Sequence, residues 1–232
     1  MHGGSWYLRS WLYGAAHAGW DAWALNLRGH HGSRPVPNLG RVSVLDYVED
    51  VHECLRILRE AVVIGHSMGG LVAQKAAEGG RVRAAVFATS APPKGIRVLT
   101  WPVLWRMPRY ASAIIRSRPF SMGSDDALAL LGNCMTPEQL AWAYPQLVAE
   151  SGRAAREMAL GSVAVDPAGI RCPTLVLGAE HDRITPASVQ RKIAARYGSE
   201  YLEAAGHAHM VMLEEGWERP FGEVLAWLAR VA

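Results

Sequence analysis

The chain has 232 residues, of which 50% are hydrophobic and 19% are charged, and its formal net charge is +3. This length and composition suffice for a buried core and exclude a disordered or fibrous chain. The small net charge gives no reason to expect a nucleic-acid partner, and no apolar run reaches the roughly 18 residues that a membrane span needs. The start of the chain also lacks the pattern of a signal peptide, so we expect a cytoplasmic protein without a transmembrane segment.

Short apolar runs alternate with longer amphipathic stretches, which predicts an α/β fold with a mostly parallel sheet and helices on both faces. Strands are predicted at residues 22–27, 61–64, 82–88, 174–177 and 200–203. Apolar residues at helical spacing predict helices over residues 44–59 and 186–196 and over the C-terminal segment from Trp217.

The alternation breaks between about residues 91 and 166, where prolines interrupt a segment rich in Trp, Met and Ala. We interpret this segment as a helical lid inserted after a strand, over the face of the sheet where ligands bind. The predicted division is residues 1–91 and 166–232 for the two parts of the core and residues 92–165 for the lid.

The most specific motif is G-x-S-x-G, formed by Gly65, Ser67 and Gly69 between an apolar strand and a helix of small residues. It predicts a nucleophile elbow, a sharp turn that lifts the serine hydroxyl out of the sheet. We expect the turn to require both glycines. The backbone N–H of Met68, in the first helical turn, should point toward a developing oxyanion.

A serine nucleophile requires a histidine base and a carboxylate that orients this histidine. Asp182, in the loop after the predicted strand 174–177, is the best candidate for the carboxylate, and Glu180 is its competitor. The base should follow the last strand, where His207 and His209 are both available. The motif alone does not decide which of the two histidines is the base.

With these motifs the whole chain resembles the α/β-hydrolase superfamily, in particular its lid-bearing esterase, lipase and lysophospholipase-like branch. The resemblance rests on His2-Gly3-Gly4, Leu27 to His30, the Ser67 elbow, residues 178–186 and residues 209–214. In such families the catalytic histidine stands five residues before a glutamate, and this spacing selects His209 over His207. The resemblance also implies that Gly4 donates the second N–H of an oxyanion hole.

No metal or other cofactor is expected. The nine histidines include two close pairs, but no H-E-x-x-H or C-x-x-C motif is present. The cysteines, Cys54, Cys134 and Cys172, are odd in number and widely spaced, which suits a reducing compartment.

Residues 94–118 of the predicted lid contain six basic residues and no acidic one, interleaved with tryptophans and isoleucines. We favour the interpretation that the lid packs its apolar face on the core while these basic side chains are solvated, with their stems covering apolar surface. The alternative is a surface that faces the substrate or an interface and favours acyl chains and an anionic head group. The apolar lid predicts a mostly apolar pocket in either case.

We predict a serine hydrolase that cleaves small-molecule carboxylic esters with an apolar acyl group through an acyl-enzyme on Ser67. The same triad would serve a thioesterase, a lactonase, a cofactor-free perhydrolase or an acyltransferase, since the fold does not set the acyl acceptor. A catalytically silent ligand-binding relative is the alternative from another class. The sequence does not define an oligomeric state.

The position of the His-Gly motif predicts that the N-terminal strands are missing. In the family that the chain resembles, this motif follows the third strand of the sheet, which is a central strand. Here His2 follows Met1 directly. We therefore expect an N-terminally truncated copy, because a missing central strand leaves neighbouring strands without partners.

Overall fold

The computed structural model describes residues 2–98 and 100–232. Met1, on which the expected truncation rests, lies outside the described residues, as does Leu99 of the predicted lid. Four strands form one parallel sheet in the order β1-β2-β3-β4. Their bounds are Ala61–His66 (β1), Val82–Ala88 (β2), Thr174–Ala179 (β3) and Glu200–Ala204 (β4).

α-Helices form a large part of the remaining chain. Those of the core are Arg9–His17 (α1), Val44–Leu58 (α2), Met68–Ala77 (α3), Ala187–Tyr197 (α9) and Glu218–Val231 (α10). Between β2 and β3 lie Trp101–Arg106 (α4), Ala111–Ile115 (α5), Ser124–Leu130 (α6), Pro137–Ala143 (α7) and Gly152–Ala159 (α8). The predicted helical segment is therefore present, whereas the division into domains at residues 91 and 165 stays a prediction.

The central strands β2 and β3 are buried because they present apolar side chains to both faces, as expected of a parallel sheet covered by helices. Along β2, Val86 packs in a cluster that includes Trp11 of α1 and Trp227 of α10. The neighbouring Phe87 points the other way, into a cluster that includes Leu55 of α2 and Ile193 of α9. Helices on both faces, as predicted, fix the sheet between them.

The predicted strand at residues 22–27 is wrong. No strand pairing is found in this segment, and Trp23 and Leu25 are exposed. Within the described part of the chain, β1 pairs with β2 alone, so no described strand lies along its other edge. Alternating apolar residues give a segment β-propensity, but a strand forms only where a partner completes its hydrogen bonds.

None of the helices in the described residues combines the length and apolar character needed to traverse a bilayer.

Candidate active site

Ser67 lies at the sharp turn between β1, which ends at His66, and α3, which begins at Met68. Its backbone has φ 56° and ψ −122°, a conformation that costs a non-glycine residue about 1–3 kcal/mol. The turn is held by a hydrogen bond from the Ser67 N–H to the Ala88 carbonyl (3.1 Å) and by another from the Ala91 N–H to the Ser67 carbonyl (2.9 Å). This geometry is that of the predicted elbow.

The glycines around Ser67 differ in their steric roles. A Cβ at Gly65 would overlap the carbonyl oxygen of Gly69, so the strand can approach the helix only with glycine there. A Cβ at Gly69 meets nothing within 4 Å, so the expectation that the turn requires a glycine at this position is wrong. Gly70 is the second required glycine, because its Cβ would overlap the Ser90 side chain.

Gly65→Ala and Gly69→Ala therefore form a matched pair. We expect Gly65→Ala to lower the free energy of unfolding by about 1–3 kcal/mol, since backbone must move to admit the methyl group. Gly69→Ala should change it by less than about 1 kcal/mol, because alanine is the better helix former and has room. Urea denaturation of both variants measures the difference, and equal destabilisation would contradict this description of the turn.

Ser67, His209 and Asp182 form one continuous chain of hydrogen bonds. His209 Nδ1 lies 2.8 Å from Asp182 Oδ2, and His209 Nε2 lies 2.9 Å from Ser67 Oγ. Because a carboxylate only accepts, Nδ1 carries the proton and donates a hydrogen bond to Asp182. Nε2 is then free to accept from the serine hydroxyl, which is the arrangement needed to activate this hydroxyl as a nucleophile.

Asp182 is held as a carboxylate although it is buried. Its Oδ1 accepts from the backbone N–H groups of Ile184 (2.8 Å) and Thr185 (3.0 Å), and its Oδ2 accepts from the Thr185 hydroxyl (2.8 Å). Burial opposes ionisation, but the electrostatic interaction and hydrogen bond with His209, together with these N–H groups, hold the pKa of Asp182 below its ordinary value. Asp182 is therefore ionised near neutral pH.

The backbone of His209 has two supports that the sequence analysis missed. His66 Nε2 donates to the His209 carbonyl oxygen (2.7 Å), and the Thr89 hydroxyl donates to the same oxygen (3.2 Å). Burial lowers the pKa of His66 to about 3, so this imidazole is neutral and serves as a donor rather than as a charge. His66 stands between Gly65 and Ser67 in the G-x-S-x-G motif, but the motif does not specify the partner of this side chain.

The other histidine of the pair, His207, contacts Glu214 and not the serine. Its Nδ1 lies 3.2 Å from Glu214 Oε2, and the same carboxylate accepts from the backbone N–H groups of Ala208 (2.7 Å) and Met210 (3.1 Å). Glu214 thus braces the loop on both sides of His209. The glutamate that stands five residues after His209 therefore has a structural role in this loop.

The two predicted oxyanion donors differ in their surroundings. Met68 is the first residue of α3, and its backbone N–H donates to no acceptor among residues 2–98 and 100–232. Gly4 does not contribute to the cavity beside Ser67, whereas Gly3 does. A Cβ at Gly4 would overlap the His31 ring, so glycine here permits close packing of two loops.

A cavity of about 510 Å³ opens beside the Ser67 hydroxyl. The core contributes Ser67, His209 and His66 to its wall, and the helical segment between β2 and β3 contributes mainly aliphatic and thioether side chains. These include Val103, Leu104, Met107, Ile114, Ile115 and Met158. A hydrocarbon chain is the ligand that such a wall complements.

The histidines and acidic residues do not assemble a metal site in the described part of the chain, where no group of three or more potential ligands is found. Cys54, Cys134 and Cys172 are unpaired and partly buried, and burial raises the pKa of each thiol.

A parallel sheet that carries a serine on a strand-to-helix turn, with an acid and a histidine after later strands, defines the α/β-hydrolase fold. The chain belongs to the alpha/beta hydrolase family, whose model matches residues 1–227. The predicted family and fold class are confirmed.

Solved structures with this fold cover nearly all of the chain. A methylesterase from Arabidopsis is 14% identical with a TM-score of 0.76, over 98% of this chain and 95% of that one. An esterase from Thermogutta terrifontis is 20% identical with a TM-score of 0.74, over 98% and 86%. A monoacylglycerol lipase from Paleococcus ferrophilus is 19% identical with a TM-score of 0.76, over 100% and 92%. No curated protein matches the chain.

Proposed function

We propose that this protein hydrolyses small-molecule carboxylic esters with an apolar acyl group. The observation that carries the proposal is the hydrogen-bonded chain from Asp182 through His209 to Ser67, whose serine end lies at an apolar cavity. The esterases and the lipase with the same fold support the choice of an ester as substrate. No cofactor takes part in this chemistry.

The reaction follows from the positions of the protons. Ser67 Oγ attacks the ester carbonyl carbon while its proton passes to His209 Nε2, and Asp182 stabilises the resulting imidazolium. The N–H of Met68, with a second donor from the loop of Gly3 and Gly4, stabilises the tetrahedral oxyanion. Collapse expels the alcohol, which takes the proton from His209. Water then attacks the acyl-enzyme with His209 as the base and releases the acid.

A series of nitrophenyl esters graded by acyl length tests this proposal. We expect kcat/KM to rise from the acetyl to the octanoyl ester by up to roughly fourfold per methylene, because each buried CH₂ contributes about 0.8 kcal/mol. Ser67→Ala, measured on the same series, should lose the activity at every length. A rate that falls with acyl length would contradict the apolar acyl site. Faster cleavage of a matched thioester or lactone would favour those acyl acceptors instead.

A further inference from the structure

The helix α4 carries an exposed apolar stripe on its outer face. The side chains of Trp101, Leu104 and Trp105 are 72%, 44% and 70% exposed. Their spacing of three and four residues places them together on one side of the helix. The two indole rings stack with their centroids 6.0 Å apart. Contiguous exposed apolar surface of this kind marks an interaction site in soluble proteins.

Four exposed basic residues flank α4 and α5 in the chain and have no ion-pair partner among the described residues. Lys94 and Arg97 precede α4 in the chain, Arg116 and Arg118 follow α5, and all four are exposed. None of these four side chains forms an ion pair within residues 2–98 and 100–232. By contrast, Arg106 and Arg109 both pair with the buried Asp126, whose single negative charge offsets one of their two positive charges. The favoured sequence interpretation, in which the lid buries its apolar face, therefore does not describe the tryptophans.

The active-site cavity reaches the surface beside the same stripe. Leu104 of α4 and Ile115 of α5 both line the cavity, yet they are 44% and 68% exposed. A residue that meets both conditions lies at the rim of an opening. An apolar molecule bound over Trp101 and Trp105 would therefore lie next to this opening and could enter the cavity without crossing water.

We propose that this surface, formed by Trp101, Leu104, Trp105 and Ile115 with the basic residues that flank α4 and α5 in the chain, docks on an anionic lipid surface. Tryptophan is favoured at the boundary between lipid and water, where an apolar ring inserts and the N–H stays hydrated. Lysine and arginine beside it attract acidic head groups. A second copy of the chain is a poorer occupant, because a two-fold interface would place the same uncompensated positive charges close together.

Flotation of the purified full chain with lipid vesicles tests the proposal without measuring catalysis, so it is independent of the proposed function. The probes are vesicles of phosphatidylcholine alone and of phosphatidylcholine with a third of phosphatidylglycerol. We expect binding to the anionic vesicles at least about tenfold tighter than to the neutral ones, and weakened by high salt.

The double variant Trp101→Ser/Trp105→Ser should weaken binding to anionic vesicles by about tenfold or more, and Arg116→Glu/Arg118→Glu by a similar factor. Trp23→Ser is the matched control, because Trp23 is 71% exposed but lies outside the cavity wall. Circular dichroism checks that each variant is folded.

Binding that follows this pattern supports the proposal. Absence of binding by the unaltered chain, equal binding to neutral vesicles, or an equal loss in Trp23→Ser would overturn it. Light scattering, which measures the oligomeric state, provides a separate test. A dimer that the double tryptophan variant abolishes would show that this surface joins two copies of the chain, and the lipid proposal would then be wrong.

Discussion

His209→Ala is expected to lower kcat/KM for a nitrophenyl hexanoate by on the order of 10⁴-fold or more, whereas His207→Gln should change it by less than about tenfold. His209 is the histidine that contacts both Ser67 and Asp182, so its loss removes the base and leaves the hydroxyl without activation. His207 bonds to Glu214 instead, and glutamine keeps a donor for this carboxylate. Initial rates at neutral pH measure both variants.

Thermal melting provides the control for the histidine pair, because both side chains are buried and a loss of structure would imitate a loss of chemistry. Both variants are compared at a temperature where each is folded. Should His207→Gln abolish turnover while His209→Ala retains it, the assignment of the base would be reversed.

Asp182→Asn is expected to reduce kcat by about 10³–10⁴-fold while leaving the fold intact. The N–H groups of Ile184 and Thr185 fix one oxygen at this position, so the asparagine amide nitrogen must face His209 Nδ1. The amide donates where the carboxylate accepted, which forces the proton of the imidazole onto Nε2. His209 then has no lone pair directed at Ser67, and the hydroxyl is not activated.

Glu180→Gln is the matched control for Asp182→Asn, since Glu180 was the competing candidate for the acid. Its side chain is half exposed, accepts from the Gly206 N–H (2.8 Å) and lies 3.9 Å from the exposed His181 ring, and it is not hydrogen-bonded to His207 or His209. We expect its kcat to stay within about twofold of the unaltered chain, because the triad is untouched. A loss comparable to that of Asp182→Asn would transfer the role of the acid to Glu180.

Local patterns were sufficient for the features that depend on short stretches of chain. The strand at residues 82–88 was predicted with its observed bounds, since its β-rich run ends where the chain turns. The elbow at Ser67 was predicted because strand, turn and helix are adjacent in sequence. Asp182 was selected by its place in the loop after a predicted strand, and His209 by the spacing to a glutamate that the family resemblance implies.

Features that depend on distant contacts were missed or misjudged. The contact of His66 with the His209 carbonyl joins residues 143 positions apart, and nothing in the local sequence specifies it. A glycine was predicted to be required at Gly69, but it is required at Gly70. The reason is that Gly70 packs against Ser90, which lies in another loop. The segment at residues 22–27 has the composition of a strand, but pairing with a neighbour, which composition does not encode, decides whether a strand forms.

The most direct test of the central claim is covalent labelling of the purified chain with a fluorophosphonate, followed by peptide mapping. A serine activated by His209 should react to one label per chain, with the adduct on Ser67, and His209→Ala should slow the labelling by at least about a hundredfold. A folded chain that stays unlabelled, or that carries the adduct on another residue, would contradict the assignment of Ser67 as the nucleophile of a serine hydrolase.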